Sequence, residues 1–516
     1  MIDFIMRNRR RRMMVRYLVF MLAMFLFATC SLLSLQYNHI ANEMEKNAKP
    51  FLDLYGHDPP IVSPDYVKLD QIKEAFRYAW KNYKRLCWGH DLLNPSTGKC
   101  EDTLHGGLTI VDSLTSLILM NLTEEYKEAR NFVESKFSLK GTWTPFEFII
   151  RYLASFESAY QLTNDNLYLE KAQLCMDLIF DLIDNNGNFY DVFTITNRDG
   201  EMKTTRNYGD TNLALIGTLQ LEFLTMTAIT KNTSYIGKAF LAYRRLFSMY
   251  SKSGFIYDLN EYKPEGFIKI GEESDSFYEY ILKTYFLSGG ISYELFNRYL
   301  MFINDVKKNL VNIQGKTDIY YIGTNLKGMR FPHASHLSAF LPGMIAMGTI
   351  IANSHAREDF ELAANLVDGY VKTANLMKTG LLPEEFEYKN GNRTKKYVEC
   401  SNANYHLRPE VIESIYYLWK MTGDEKYREY SWEFFKRINT TCRMENGFSP
   451  ISDVDGNYSY IGNMESYFFS ETLKYLYLTF SDSSYMPMTE WIFNTEGHPF
   501  KIWDDNMRRD YRDFML

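Results

Sequence analysis

The chain is 516 residues long, 46% hydrophobic and 23% charged, a globular composition with enough apolar material for one large core or two ordinary ones. A formal net charge of -7 excludes a nucleic-acid surface, which would need a basic stripe. Aromatic side chains, at 16%, suit a large helical core and equally a binding site walled by ring faces.

Basic residues cluster at the N-terminus, where Arg7, Arg9, Arg10, Arg11, Arg12 and Arg16 precede an uncharged apolar run from Tyr17 to Leu35. As a helix that run reaches about 28 Å, close to the hydrocarbon thickness of a bilayer. Positive charge on its N-terminal side predicts a cytosolic tail at 1–16, a single transmembrane signal anchor at 17–36, and a lumenal or extracellular remainder. A cleaved signal peptide is the rival reading, but the run is longer than an ordinary h-region and no small-x-small site ends it. Residues 37–66, with Pro59-Pro60 and Pro64, read as a stem, and 67–516 as one large domain. Asn-x-Ser/Thr triplets at Asn121, Asn232, Asn392, Asn439 and Asn457 jointly fit a lumenal domain. Cys30 lies in the apolar run, leaving Cys87, Cys100, Cys175, Cys400 and Cys442. At most two disulfides can form among these five; Cys87 with Cys100 is the pair expected from proximity, and no C-x-x-C metal spacing occurs.

From Tyr66 onward the pattern is helical almost throughout. Residues 70–80 set apolar side chains at i, i+3, i+4 and i+7. Similar patterns recur near 109–120, 146–160, 167–184, 211–229, 235–250, 275–288, 292–310, 336–352, 358–377, 409–421, 425–438 and 465–480, while alternating strand-type runs are scarce. A faint repeat runs through them. Thr163-Asn164-Asp165 with Tyr168, Thr230-Lys231-Asn232 with Tyr235, and Thr422-Gly423-Asp424 with Tyr427 each place a polar turn between two helices. Helical hairpins of this kind must bury their apolar faces on one another, giving an open solenoid or a closed double ring of helices. A closed ring leaves a funnel at one mouth, where helix starts can present carboxylates.

Acidic stretches on helix-like patterns supply candidates: Thr144-Pro145-Phe146-Glu147, Asp275 to Glu279, Leu407-Arg408-Pro409-Glu410 with Glu413, and Met464-Glu465-Ser466 leading to Glu471. Asn494-Thr495-Glu496-Gly497-His498-Pro499 follows them. Carboxylates gathered into one apolar pocket are what glycosidic bond cleavage needs, because one acid must stay protonated while another stays ionised. The plain reading competes: Thr144, Pro145 and Glu147 have the spacing of an N-cap, N1 proline and capping-box acid, and Glu410 after Pro409 suits a helix dipole.

Seven blocks stand in the order seen in class I α-mannosidases, glycoside hydrolase family 47. They are Gly107-Leu108-Thr109-Ile110-Val111-Asp112-Ser113-Leu114, Phe146-Glu147-Phe148-Ile149-Ile150-Arg151, Asp275-Ser276-Phe277-Tyr278-Glu279-Tyr280, His336-Leu337-Ser338-Ala339-Phe340-Leu341-Pro342-Gly343, Leu407-Arg408-Pro409-Glu410, Glu471-Thr472-Leu473-Lys474-Tyr475 and Phe493-Asn494-Thr495-Glu496. The chain resembles that family from about residue 70 to 500.

The resemblance implies an all-α fold, an (α/α)7 barrel behind the transmembrane helix, and an inverting hydrolase. Its implied substrate is terminal α-1,2-linked mannose on high-mannose N-glycans, and its implied cofactor a calcium ion (Ca2+) at the barrel base. The chain would sit in the endoplasmic reticulum or Golgi membrane with its catalytic domain in the lumen. Carried over by position, Glu147 and Asp275 match the acid side and Glu410 the base. Thr495 matches the direct calcium ligand, and Glu413 and Glu471 match acids that hold the metal's waters. Arg151 and Arg408 match orienting groups, Glu222 a pocket acid, and Tyr467 replaces an aromatic that is usually Phe. His336 reads as a pocket hydrogen-bonder or a satisfied core histidine. Ala339 stands where many members carry a cysteine, Ala154-Ser155 replaces a Gly-Gly pair, and Glu272 and Glu273 stand where endoplasmic-reticulum-type members tend to have arginine. The alternative implied function is a lectin-like relative that binds mannose glycans and misfolded clients with little turnover.

Overall fold

The structure, a computed structural model, describes residues 61–515 apart from 185–189, 199–200, 208–211, 250–253, 256–266, 269, 316, 327, 352–354 and 390–396. The cytosolic tail, the anchor expected at 17–36 and nearly all of the stem lie outside the described residues. Pro59–Thr349 with Arg357–Leu516 forms one compact unit.

Its helices run in chain order as α1 (Tyr66–Cys87), α2 (Leu108–Leu119), α3 (Thr123–Ser135), α4 (145–163), α5 (Asn166–Ile179), α6 (Leu213–Thr230) and α7 (Thr233–Met249). They continue as α8 (Asp275–Leu287), α9 (Tyr293–Asn309), α10 (Leu337–Gly348), α11 (Ala356–Asn375), α12 (Glu410–Thr422), α13 (Glu425–Thr441) and α14 (468–480). Even-numbered helices are apolar on nearly every side. By length and composition α6 could cross a membrane, yet it is 89% buried inside the fold and is a core helix. Odd-numbered helices are amphipathic, as in α1, where Ile72, Phe76, Ala79, Trp80 and Tyr83 face inward.

That division builds two rings. Each even helix packs on the next, from α2 through α14, and α14 returns to α2, where Ser116 Oγ donates to the Phe469 carbonyl at 2.7 Å. The odd helices form the outer ring, and side chains link every neighbouring pair. Arg77–Glu125 (3.0 Å) joins α1 to α3, Tyr168–Tyr126 (3.1 Å) joins α3 to α5, and Gln173–Tyr235 (2.9 Å) joins α5 to α7. Arg298 to the Phe247 carbonyl (3.0 Å) joins α7 to α9, Lys307–Asp359 (2.6 Å) joins α9 to α11, and Lys426–Asp368 (3.1 Å) joins α11 to α13. Lys68 over the Trp432 ring, 5.6 Å from its centroid, closes α13 on α1. Seven inner and seven outer helices are thus present among the described residues, and the ring is the closed one of the two arrangements expected.

The repeated turns explain the alternation. Asn164, Lys231 and Gly423 all take left-handed backbone (φ 57, 65 and 65°) after an inner helix. The preceding threonine then accepts the amide two residues on: Asp165 to Thr163 at 3.2 Å, Asn232 to Thr230 at 3.3 Å, Asp424 to Thr422 at 3.1 Å. Tyr168, Tyr235 and Tyr427 are buried in all three. Strands are more numerous than the sequence indicates: the described residues hold seven small sheets. Most of these strands lie in segments that connect an outer helix back to the next inner one. The longest pair is Val192–Arg198 with Glu201–Asn207.

A C-terminal hairpin, Trp491–Phe493 with Pro499–Lys501, fills the inner ring. Its base bonds to the C-terminal ends of inner helices, with the Trp503 amide on the Leu287 carbonyl (2.9 Å) and the Lys501 amide on Gln161 (2.9 Å). The expected Cys87–Cys100 disulfide is formed, and Cys175 and Cys442 are buried free thiols.

Two helical glycines make opposite predictions. A Cβ on Gly369 would lie 1.9 Å from the Tyr320 carbonyl oxygen, whereas a Cβ on Gly237 meets nothing within 4 Å. Gly369→Ala should therefore destabilise by about 1–3 kcal/mol, and Gly237→Ala should stabilise by about 0.5–1 kcal/mol. Chemical denaturation of the two variants checks the signs.

Candidate active site

A cavity of about 960 Å³ opens at the end of the rings where the inner helices begin. The starts of α4, α6, α8, α10, α12 and α14 all line it, so six helix N-termini direct their positive ends at one space. The hairpin enters from the other end and brings Thr495 and Glu496 to the cavity floor.

Thr144 caps α4 as its spacing predicts: Pro145 stands at N1, and the Glu147 amide donates to Thr144 Oγ1 at 3.4 Å. The carboxylate does not turn back toward the cap. It turns along the helix, where Arg151 Nε donates to Glu147 Oε2 at 2.6 Å. Residues Ile149–Leu153 form a π-helical turn, which sets where Arg151 points. Arg151 Nη1 also reaches Glu496 (2.5 Å), Ser466 (2.9 Å) and Asp112 (3.6 Å), and the guanidinium lies 5.7 Å from the Tyr467 ring centroid. Burial opposes its charge, but the carboxylates of Glu147, Glu496 and Asp112 hold it protonated.

Asp275 begins α8 and accepts the Ser276 amide at 2.9 Å; burial pushes its carboxyl up to about 7. Glu410 begins α12 and is likewise pushed up to about 7 by burial, with Arg408 the strongest opposing influence. Arg408 Nη1 stands 4.0 Å from Glu410 Oε1, and its Nε donates to Glu384 at 2.6 Å. His336 is fully buried, and burial drives its pKa down to about 3, so the ring is neutral. Its Nδ1 contacts the Leu382 carbonyl at 3.3 Å, which makes that nitrogen the donor and leaves Nε2 as a lone pair 3.5 Å from Glu410 Oε2.

Below the cavity floor, Lys283 pairs with Glu279 and stands 3.5 Å from Glu413. Burial pushes Glu413 up to about 8 and Glu471 well above the ordinary carboxylate range; at Glu471 the charges of Glu496, Glu413 and Glu410 add to the effect. Asn494 fixes the hairpin tip by accepting the amides of Glu496 (3.0 Å) and His498 (2.8 Å) while donating to Glu222 (3.0 Å), which also accepts the Tyr280 hydroxyl (2.7 Å).

The cavity therefore brings together Glu147, Arg151, Asp275, Arg408, Glu410, Tyr467, Glu471 and Thr495. Glu222, His336 and Glu413 are buried outside its lining: Glu222 holds the hairpin tip, His336 faces Glu410 from behind, and Glu413 is paired with Lys283. Sequence reading missed Glu384 in the lining and the buried Lys283; Glu465 and Glu496, also in the lining, and the buried Glu279 stood in its acidic stretches without an assigned role. It also missed a hydrogen-bonded chain behind Arg151. Lys474 Nζ donates to Thr115 (2.8 Å), Thr115 donates to His498 Nδ1 (3.0 Å), and His498 Nε2 donates to Asp112 (2.9 Å). A charged residue inside an apolar inner-helix pattern, as at Asp112 and Lys474, was the available signal.

A closed double ring of helices with carboxylates at one mouth defines the class of helical-barrel glycosidases. The sequence model of Glycosyl hydrolase family 47 matches residues 75–502, and the chain belongs to that family. Mannosyl-oligosaccharide 1,2-alpha-mannosidase IC of Homo sapiens is 32% identical over 84% of this chain and 70% of its own length. Mannosyl-oligosaccharide 1,2-alpha-mannosidase IA of Sus scrofa is 31% identical over 86% and 69%. Among solved structures, the α-1,2-mannosidase from Trichoderma reesei shares the fold with a TM-score of 0.77 at 24% identity, over 86% of this chain and all of that one.

Arg408 yields a signed prediction. Removing it takes away the charge that most opposes burial at Glu410, so the pKa of that carboxyl rises. If Glu410 must be ionised to act, Arg408→Gln should move the acid limb of the pH profile of kcat/KM for hydrolysis to higher pH. Arg408→Lys should move it less.

Proposed function

We propose that this chain is an inverting, calcium-dependent mannosyl-oligosaccharide 1,2-α-mannosidase that trims terminal α-1,2-linked mannose from high-mannose N-glycans. Its N-terminal anchor would hold it in the endoplasmic reticulum or Golgi membrane with the ring domain in the lumen. The observation that carries the activity is the convergence of Glu147, Asp275 and Glu410, each in the first turn of a different inner helix, on one cavity. That intact set supports turnover over lectin-like retention.

In this reading the Glu147 and Asp275 side delivers a proton to the glycosidic oxygen. Asp275, pushed up to about 7, keeps a proton to give near neutrality. On the opposite face Glu410 takes a proton from water as that water attacks the anomeric carbon, and the bond to the leaving sugar oxygen breaks. Inversion requires room for the water, so the two sides should stand about 6.5–9.5 Å apart. Arg408 favours the ionised form of Glu410, and the neutral His336 behind it adds no charge of its own. Arg151 holds Glu147 in place, and Tyr467, anchored by its hydroxyl on the His406 carbonyl (2.8 Å), offers a ring face to the sugar.

The floor fits a hard divalent cation. Among the described residues no three His, Cys, Asp or Glu side chains converge to bind a metal directly. Thr495 nevertheless offers its carbonyl and hydroxyl oxygens beside the buried acids Glu471 and Glu496, whose mutual repulsion a cation would relieve. Thr495 would hold the ion directly, with Glu471 and Glu413 orienting its waters. Bound calcium would supply charge for sugar hydroxyls to coordinate. Because only the folded floor presents these oxygens together, chelation should lower both activity and melting temperature, and calcium should restore both. Full activity after verified metal removal would refute the site.

Profiling the products of the purified lumenal domain on a high-mannose glycan tests the activity. Proton NMR of the first turnovers should show β-mannose; α-mannose would overturn inversion. Glu410→Gln keeps shape and removes the proton acceptor, so turnover should fall by roughly 10²–10⁴ with the melting temperature nearly unchanged. A merely dipole-complementing acid would instead cost about 0.3–1 kcal/mol of stability and leave the rate intact.

A further inference from the structure

Four of the five Asn-x-Ser/Thr triplets fall on described residues, and the fold treats them differently. Asn121 is exposed in left-handed backbone (φ 53°) at the turn from α2 to α3, and its Oδ1 accepts the Thr123 hydroxyl at 3.3 Å. Asn232 is exposed at the turn from α6 to α7, and its Oδ1 accepts both the Ser234 amide (3.1 Å) and the Ser234 hydroxyl (2.8 Å). In both, the hydroxyl that completes the triplet is bonded to the asparagine's own carbonyl oxygen. That leaves Nδ2 facing solvent, with the carboxamide polarised by the bond.

That hydroxyl-to-carboxamide bond is made at neither of the other two. Asn439 lies inside α13, half-buried, and its Oδ1 accepts from Arg443 at 3.1 Å. Arg443 in turn grips Glu74 on α1 at 2.7 and 2.8 Å and stacks 3.9 Å over the Tyr78 ring, so a glycan on Asn439 would pry apart an interhelical clamp. Asn457 is exposed, but the Ser459 amide and hydroxyl are both engaged with Ser452 at 3.0 Å.

We propose that Asn121 and Asn232 are the N-glycosylated residues among these four. The inference rests on the lumenal placement proposed above. In the transfer, asparagine Nδ2 bonds to C1 of the sugar of a lipid-pyrophosphate oligosaccharide donor. The C1–O bond to pyrophosphate breaks, the pyrophospholipid leaves with the electron pair, and an Nδ2 proton passes to a base. Both sites follow the C-terminal end of an inner helix, and the cavity is lined by inner-helix N-terminal ends. Glycans here therefore project from the pole opposite the catalytic mouth and leave it open to other glycoproteins.

The full chain, expressed in a eukaryotic secretory host, is treated with peptide-N-glycosidase in ¹⁸O-water, which marks each occupied asparagine as ¹⁸O-aspartate for peptide mass mapping. Label is expected at 121 and 232 and absent at 439 and 457. Asn121→Gln and Asn232→Gln should each remove one glycosidase-sensitive step in gel mobility. Thr123→Ala and Ser234→Ala should do the same while keeping the asparagines, which covers any folding defect of the glutamine variants. Protease protection in sealed microsomes separates the two ideas: a protected domain without label at 121 and 232, or with label at 439 or 457, overturns the site assignment alone. A protease-accessible, unlabelled domain overturns the lumenal placement and this proposal with it.

Discussion

Arg151 is buried among carboxylates from three parts of the chain: Glu147 on its own helix, Asp112 on α2 and Glu496 at the hairpin tip. Any one of those acids, buried alone and ionised, would cost several kcal/mol. A planar guanidinium with five donors can serve all three at once, as the point charge of a lysine cannot. Glu147 and the Thr495 floor are therefore positioned by one cation. Asp112 is itself steadied by His498, so the line of bonds runs on through Thr115 to Lys474 on α14. Burial pulls that lysine down to about 7, and it donates to the Gly497 carbonyl at 2.5 Å, a second tether on the same hairpin.

Charge at the mouth is deliberately unbalanced. Among the described residues, seven carboxyls in the cavity lining or just beneath it, Glu147, Asp275, Glu279, Glu410, Glu413, Glu471 and Glu496, face four basic groups, Arg151, Lys283, Arg408 and Lys474. Helix N-termini offset part of the excess. Burial, with the neighbouring carboxylates adding to it, holds the carboxyls of Asp275, Glu410 and Glu413 toward their neutral forms. Such an excess serves a reaction that needs a protonated acid and an ionised base within one cavity. The same excess would offset the charge of the divalent cation proposed for the floor.

Much of this was legible because the alternation of inner and outer helices follows from a local code, which by itself leaves solenoid and ring both open. Thr163, Thr230 and Thr422 announce the inner-to-outer turns, and the apolar runs announce which helices lie inside. Thr144, Pro145 and Glu147 announced a helix start, but only the structure shows the Glu147 carboxylate leaving the cap for Arg151. The π-helical turns at Ile149–Leu153 and Phe468–Thr472 carry Arg151 and Glu471, and no residue pattern marks such a one-residue insertion. Resemblance carries Glu222 over as a pocket acid and leaves His336 between a pocket hydrogen-bonder and a core histidine. Whether such a residue faces the cavity or lies behind it depends on rotation about the helix axis, which apolar-all-round helices leave unspecified.

The site is also a property of the closed ring rather than of any segment. The Asp65 amide bonds the Phe480 carbonyl at 2.9 Å, and the Val62 amide bonds Ser483 at 2.8 Å, so the first described residues are held by the last inner helix. Arg428 reinforces that seam with bonds to the carbonyls of Ser63, Thr479 and Ser481. Contacts of such sequence separation carry a loop-closure cost that local hairpins do not. The hairpin that delivers Thr495 and Glu496 comes later still in the chain and can seat only in a ring whose inner helices are present to receive it. Glu147, Glu410 and the Thr495 floor therefore reach their places together, and a loose seam between α1 and α14 would disturb Arg151 through Glu496 before it disturbed any single helix.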